Sequence, residues 1–110
     1  MVMIKEVKEN IIISFTATNT KTRVHTVPKN KVMIIDDILC VDTSGSANTL
    51  MLTDEGTDLA NNAYTKTVWK SKVAANDDEQ YQRIEHARVL NELYAVSTGN
   101  MDVVMHAHYI

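Results

Sequence analysis

Short β-branched segments separated by polar links occupy residues 1–70 of this chain. In the segment IIISFTAT (11–18), an apolar series at the odd positions alternates with a more polar series at the even positions. Successive side chains of a strand point to opposite sides, so a period of two is typical of a strand with one face against a core. The same reasoning predicts further strands at 23–27, 31–35, 37–43, 49–53 and 64–70.

The links between these segments carry their own signals. Asp36 and Asp37 interrupt an apolar stretch, which predicts a bend or β-bulge between two short strands. After Asp42, the Ser- and Gly-containing link predicts a hairpin whose tip is 43–48 and whose second strand begins near Thr49. The residues expected in the buried sheet on either side of this tip are Leu39, Val41, Leu50 and Leu52.

A change of period after residue 76 predicts one long amphipathic helix, over about 77–97. Asn76 and Glu79 have the spacing of a capping box, and Gly99 is placed to end the helix as a left-handed residue. Arg88 and Glu92 have the spacing of an ion pair on the exposed side. The apolar positions that recur at helical spacing are Tyr81, Ile84, Ala87, Leu90, Leu93 and Tyr94.

These elements predict an α+β fold, in which a small, mainly antiparallel sheet or partly open barrel is crossed by the one long helix. The tail MDVVMHAHYI (101–110) is expected to be a strand that pairs in this sheet or with a neighbouring subunit. A length of 110 residues suits a single domain, 1–110, with extended arms at 1–9 and 101–110. Two apolar ends of this kind indicate a homo-oligomer.

Composition restricts the partners and the location. The net charge of −3 disfavours general attraction to nucleic acid or to an anionic membrane. The sequence contains no run of about 18 apolar residues, so no transmembrane helix is predicted. The N-terminus lacks the apolar core of a signal peptide. Cys40 is the single cysteine, so no internal disulfide forms, and its apolar neighbours predict a buried, unreactive thiol. No cofactor is predicted.

The segment Asp42-Thr43-Ser44-Gly45-Ser46 resembles the start of two known sites. Asp-x-Ser-x-Ser begins the metal-dependent adhesion site of von Willebrand factor A-type domains, and Asp-Thr-Gly-Ser begins an aspartic protease. The first motif leads toward a helix in a much longer doubly wound domain, whereas a strand is expected here. In the second comparison the extra Ser44 changes the loop. A turn is therefore the preferred interpretation.

His106 and His108 are two residues apart in the predicted last strand, so both face the same side. Two imidazoles at this spacing can chelate zinc or iron if a third ligand arrives, and His25, His86 or a carboxylate could supply it. Nothing in the sequence brings such a ligand to the pair. The alternative is an exposed strand face without a metal.

Two further groups of polar residues allow a binding hypothesis. The acidic residues of 36–37 and 54–58 could bind calcium, but they lack EF-hand spacing and solvated loops are preferred. In 64–72, basic residues surround Tyr64 and Trp69, an arrangement that can bind single-stranded nucleic acid. The alternation of a strand places Trp69 on the face opposite Tyr64, which favours a core or interface role for Trp69. The lysines concerned are Lys66, Lys70 and Lys72.

The segment IIISFTATNTKTRVHTVPKNKVMIIDD resembles the opening of small structural proteins of tailed bacteriophages, over residues 11–36. The similar features are a strand of the kind FTAT, a Thr-rich turn, a short strand that ends in Val-Pro-Lys and a β-branched strand. Residues 76–100 also resemble the late helix and closing strand of such chains. The resemblance implies a virion component that coats, cements or joins, and it carries over no catalytic residue.

The leading hypothesis is a non-enzymatic virion structural protein that self-associates, either in capsid decoration or near the tail. Its partners would be copies of itself and other virion proteins, assembled in the host cytoplasm. The residues expected at these contacts are Met3, Ile4, Trp69, Val104, Tyr109 and Ile110. The alternatives are a small metal-binding protein or enzyme that uses His106 and His108, and a nucleic-acid-binding module.

Overall fold

A computed structural model describes residues 9–74 and 80–110, and every regular element in that part is a β-strand. The predicted α+β fold is therefore wrong, because the described chain is all-β. The strands are β1 (Glu9–Ala17), β2 (Thr22–Thr26), β3 (Met33–Asp42), β4 (Asn48–Thr57), β5 (Ala63–Val73), β6 (Gln80–Val89), β7 (Glu92–Ser97) and β8 (Met101–Tyr109). The same residues contain no helix that is long and apolar enough to cross a membrane.

The strands form two antiparallel sheets of four. The first sheet has the order β1-β8-β3-β6, and the second has the order β2-β7-β4-β5. Among the described strands, β4 and β5 are the only consecutive pair within one sheet. All other consecutive strands lie in different sheets, so the chain alternates between the two layers.

The pairing is that of one long ribbon folded on itself at the β4–β5 hairpin. Moving away from this hairpin, β3 pairs with β6, β2 with β7 and β1 with β8. The ribbon then rolls up, because β8 also pairs with β3 and β7 with β4. An eight-stranded, two-sheet arrangement of this kind is a jelly roll.

The core lies between the two sheets and is aliphatic and methionine-rich. Each fully buried side chain of this size stabilises the fold by about 1.5–3 kcal/mol relative to exposure. The largest are Met33, Ile35, Ile38, Leu50, Leu52, Leu93, Met101 and Met105. Cys40 is buried among them, and burial raises the pKa of its thiol to about 11.

The predicted helix at 77–97 is wrong over its described part, which forms β6 and β7. In β6, the buried Ile84 and Ala87 are three residues apart because the register between β3 and β6 shifts at this point. A spacing of three imitates one face of a helix. Leu90, which was assigned to the same helix face, is exposed in the turn before β7. Within β7, the buried Leu93 and Ala95 alternate with residues that point outward.

The residues that supported the helix ends have other roles. Glu92 accepts a hydrogen bond from Arg23 at 3.2 Å instead of pairing with Arg88 along a helix. Gly99 lies against Asn48 so closely that a Cβ would come within 2.6 Å of its amide group. Gly99 is therefore required by a close approach and not by a helix end. The predicted cap, Asn76 with Glu79, lies outside the described residues.

The expected hairpin at 43–48 is wrong, although the strand after it is confirmed. The new strand β4 begins at Asn48, one residue before the predicted start at Thr49. However, β3 and β4 belong to different sheets, so residues 43–47 cross from one sheet to the other. The Ser- and Gly-rich composition predicts a turn but contains no information about which strands pair.

The structure confirms the bulge predicted at Asp36–Asp37, but the bulge lies within the single strand β3 and not between two short strands. It sets the faces of β3. Beyond the bulge, Ile38 is buried, whereas Leu39 and Val41 are only half-buried. The prediction that Leu39 and Val41 are buried was wrong, because the extra residue in the bulge moves the side chains after it to the opposite face of the sheet. The expectation for Leu50 and Leu52 was correct, since both are fully buried.

The predicted C-terminal strand is confirmed as β8, which lies between β1 and β3. Residues 101–109 thus form an inner strand of the first sheet rather than an extended arm. The proposed N-terminal arm, including Met3 and Ile4, lies outside the described residues except for Glu9.

Candidate functional site on the outer face of the first sheet

A β-bulge in β3 brings two successive aspartates to the same face of the first sheet. Ile35 pairs with Ala107 and Asp37 pairs with His106, so Asp36 is the extra residue. Ile35 and Ile38 both point into the core, with two residues between them instead of one. Asp36 and Asp37 consequently both point outward, which an uninterrupted strand would prevent.

Each of these aspartates contacts one histidine of β8. The Nδ1 atom of His106 lies 2.6 Å from Oδ1 of Asp37, and Nδ1 of His108 lies 2.8 Å from Oδ2 of Asp36. The two histidines share the outer face, as the sequence predicts. The arrangement is two neighbouring His–Asp pairs, bridging β8 to β3.

The two imidazoles differ in exposure but both reach solvent. The side chain of His106 is 53% exposed and that of His108 is 11% exposed. Among the described residues, no buried side-chain nitrogen or oxygen lacks a hydrogen-bond partner. Nδ1 of His108 is occupied by Asp36, and its Nε2 has no hydrogen-bond partner among the described residues, so Nε2 is not fully buried.

The third ligand considered from the sequence does not join this pair. His25 lies beside Tyr109, with its Nε2 atom 2.6 Å from the tyrosine hydroxyl and the two rings stacked. The side chain of His86 lies outside the described part of β6. Within the described residues, no three or more His, Cys, Asp and Glu side chains are placed to hold a metal together.

The strand β1 borders the other side of β8 and forms an edge of the first sheet. Its nine residues pair with β8 without a break in register. Among the described strands, β8 is its single hydrogen-bonded neighbour, so half of its backbone N–H and C=O groups face outward. Ile12 of β1 is 69% exposed and lies opposite His106.

The other edges carry features that discourage further pairing. The strand β5 bears Lys66, Lys70 and Lys72, and a register shift leaves its Val68 without a partner on β4. The strand β2 has only five residues and is also shifted, and β6 is shifted against β3. Lysines, short length and bulges are the means by which natural proteins block edge pairing. The strand β1 has no lysine and no register shift.

The Asp42 motif forms a closed turn. Ser44 donates to Oδ1 of Asp42 from its backbone N–H at 3.0 Å and from its hydroxyl at 2.7 Å, and Asn48 donates to Oδ2 at 3.2 Å. Burial of Asp42 acts to raise its pKa, but these hydrogen bonds outweigh it and hold the pKa below the ordinary value. Both carboxylate oxygens are occupied by donors of the chain. The turn is thus favoured over a metal site or a protease loop.

The other acidic residues considered for calcium have separate partners. Asp54 accepts the backbone N–H groups of the β6–β7 turn, and Glu55 forms an ion pair with Lys21 at 2.8 Å. Asp58 accepts the backbone N–H groups of Ala60 and Asn62 within its own loop. Their oxygens do not converge on one point.

The structure divides the aromatic and basic residues of 64–72. Trp69 is half-buried, packs against the core and lies opposite Leu52. Lys70 lies on the other face, where it lines a groove of about 490 Å³ with Met51 and Val96. A continuous stacking platform for nucleic-acid bases is therefore not formed by Trp69 and these lysines.

The residues expected at contacts are distributed over several surfaces. Val104 is half-buried on the outer face of the first sheet, and Tyr109 is half-buried with Lys31 above its ring. Ile110 is 63% exposed. The more exposed Ile12 was missed, although the signal was available: it is the one isoleucine in the otherwise polar series of IIISFTAT.

Comparison with known proteins does not assign a family. The phage resemblance over 11–36 stays a prediction, and the helix that it implied within 76–100 is absent from the described residues 80–97. No protein-family model, no curated protein and no solved structure matches this chain.

Proposed function

We propose that the protein is a non-enzymatic structural subunit of a virus particle, which self-associates through the edge of β1. The observation that carries this proposal is the contrast between β1 and the three other edges. The strand β1 has nine residues in unbroken register and an exposed isoleucine. The other edge strands are short, have a register shift against their neighbour, or carry lysines. A long edge in unbroken register is a ready site for strand addition.

A second copy of the same strand fits this edge. Two β1 strands related by a two-fold axis pair antiparallel and join two first sheets into one continuous sheet. In a register centred on Ile13, Glu9 lies opposite Ala17 across the new pair. Glu9 is the only charged residue of β1, so no like charges meet. Exposed Ile12 then lies opposite Ser14 of the second copy on the outer face, with Ile12 of that copy as a diagonal neighbour.

A second contact surface lies at one end of the jelly roll. Leu59 in the β4–β5 hairpin, Leu90 in the β6–β7 turn and Ile110 are all highly exposed. Leu90 and Ile110 lie at the same end because Ile110 pairs with Val32 and β6 ends beside the start of β3. Leu59 lies at this end too, because Glu55 near the end of β4 pairs with Glu92 at the start of β7. A subunit with one edge contact and one end contact can build an extended assembly rather than a closed dimer.

The assignment to a virus particle depends on two supports. Jelly rolls occur in viral capsid proteins, but also in lectins and enzymes, so the fold alone does not decide the function. The segment 11–36, which covers β1, β2 and the start of β3, is similar to structural proteins of tailed phages. Together these features favour a role in coating, cementing or joining, with other virion proteins as partners.

The self-association is tested by sedimentation velocity and native mass over a range of protein concentrations. We expect the wild type to form dimers or larger species and the Ile12→Lys, Ser14→Lys double variant to lose the association through β1 and to sediment as smaller species. Thr65→Lys with Thr67→Lys, on the lysine-bearing edge of β5, is the matched control and should behave as the wild type. A wild type that stays monomeric at high concentration would contradict the proposal.

The virion assignment has its own test. Mass spectrometry of purified particles should find the protein at a stoichiometric level relative to the major capsid protein. If the protein is found only in the lysate and not in the particles, it has no structural role in the virion, although it can still self-associate.

A further inference from the structure

We propose that His106 and His108 form a binding site for a divalent transition-metal ion such as Zn²⁺, oriented by Asp37 and Asp36. The inference concerns the outer face of the first sheet and is independent of self-association through β1. It starts from the two His–Asp pairs, at 2.6 and 2.8 Å, that the bulge in β3 creates.

The hydrogen bonds determine which nitrogen is available to a metal. An ionised carboxylate only accepts hydrogen bonds, so Nδ1 of each histidine must carry the proton and donate it. A neutral imidazole protonated at Nδ1 keeps the lone pair on Nε2. In this neutral form, the lone pair on Nε2 of each histidine is the one available to a metal.

The aspartates supply the support that metal-binding histidines usually have. Ligating histidines typically donate their second ring nitrogen to a carboxylate, which fixes the ring and makes the ligand more basic. Here Asp36 and Asp37 do this before any metal is bound. A ring already held in position loses less conformational freedom on binding.

The spacing is suited to one ion. Residues two apart on a strand are separated by about 6.5–7 Å, and both rings lean toward β3, where their aspartates lie. Two imidazoles on the same face of one strand can chelate a single ion, with zinc–nitrogen bonds of about 2.0–2.1 Å. The described residues supply no third protein ligand, so water would complete the coordination, in contrast to catalytic zinc sites, which have three protein ligands.

The local charge and ligand type determine which ions bind. The carboxylates of Asp36 and Asp37 lie beside the two imidazoles, and negative groups near a site favour a cation. Imidazole nitrogen is preferred by Zn²⁺, Ni²⁺ and Cu²⁺, whereas Mg²⁺ and Ca²⁺ prefer oxygen. The site should therefore bind Zn²⁺ in the presence of excess Mg²⁺ or Ca²⁺.

The proposal is tested by calorimetric titration of untagged protein with ZnCl₂. We expect one Zn²⁺ per chain in the wild type and at least a tenfold loss of affinity in His106→Gln, whose side chain is exposed and whose replacement should not disturb folding. Asp36→Asn and Asp37→Asn should weaken binding by about 10–100-fold. His25→Gln, which removes a histidine bonded to Tyr109, should bind as the wild type.

Three results would overturn the site. They are no heat of binding at millimolar ZnCl₂, unchanged binding by His106→Gln, or loss of binding in His25→Gln. Loss of thermal stability in the aspartate variants, with no shift in the melting temperature of the wild type on addition of ZnCl₂, would likewise overturn the site and leave the His–Asp contacts as structural hydrogen bonds only.

Discussion

The carboxylate of Asp54 accepts the backbone N–H of Asn91 at 3.1 Å, and its other oxygen accepts the N–H of Leu90 at 3.0 Å. Asp54 is buried on β4, in the second sheet, while Leu90 and Asn91 form the turn by which the chain leaves the first sheet. The carboxylate of Asp54 thus accepts two backbone N–H groups of the turn that would otherwise need backbone carbonyl acceptors. The contact fixes where β7 enters the second sheet.

Replacing Asp54 with alanine should destabilise the protein by about 1–3 kcal/mol, because partly buried N–H groups lose their acceptor. Asp54→Asn keeps one acceptor oxygen and should cost less. Urea unfolding monitored by circular dichroism measures both. Asp102→Asn is the control, since its partner Thr16 is exposed and the change should be within about 0.5 kcal/mol. Equal stabilities of Asp54→Ala and wild type would contradict this role.

Acid should weaken the fold partly through Asp42. Its pKa is lowered in the folded state: burial opposes ionisation, but hydrogen bonds from Ser44 and Asn48 prevail. A lowered folded-state pKa means that the stabilisation is fully present above the unfolded value, 3.8, and is lost as the pH falls through the folded value. The wild type should therefore lose more stability than Asp42→Asn on acidification below pH 3.8. Unfolding free energies measured across this range test the difference, and parallel curves would exclude it.

Gly99 and Gly45 should respond differently to alanine. Gly99→Ala places a Cβ against the amide of Asn48, which is held by hydrogen bonds to Asp42 and Thr98, so we expect a loss of about 1–3 kcal/mol. A Cβ at Gly45 would meet no atom within 4 Å, but the φ of Gly45 is 82°. Gly45→Ala should therefore cost only backbone strain, about 1 kcal/mol. Thermal unfolding of the two variants compares them. A smaller loss for Gly99→Ala would show that Asn48 moves aside easily.

Cys40 should be unreactive in the folded protein. Its side chain is buried, and a pKa of about 11 leaves almost no thiolate at neutral pH. A thiol reagent should therefore label it at the rate of unfolding, and labelling should become fast in denaturant. Rapid modification under native conditions would mean that the strand carrying Cys40 opens locally.

Six strands, β1 to β5 and β8, could be predicted from the sequence, because their β-branched segments alternate with a period of two between polar links. β1 and β8 keep that period throughout, whereas Ile84 and Ala87 in β6 straddle a register shift and imitate a helix. Two features of the candidate site could be predicted from the sequence, but the contact between its aspartates and histidines could not. The bulge at Asp36–Asp37 and the common face of His106 and His108 follow from local pattern. Their meeting does not, because 69 and 72 residues separate the paired side chains and only the rolled-up topology brings β3 beside β8.

The backbone amides of β1 offer a residue-level check on self-association. In one subunit, the N–H groups of β1 that point toward β8 are hydrogen-bonded, and those that point away face solvent. At low protein concentration the outward set should exchange rapidly with deuterium. At high concentration it should become protected, because a second β1 strand supplies carbonyl partners. Outward amides of β5 should exchange rapidly at both concentrations, since its lysines and bulge discourage pairing. Protection that rises on β5, with none on β1, would place the interface on the other sheet and refute pairing through Ile12 and its neighbours.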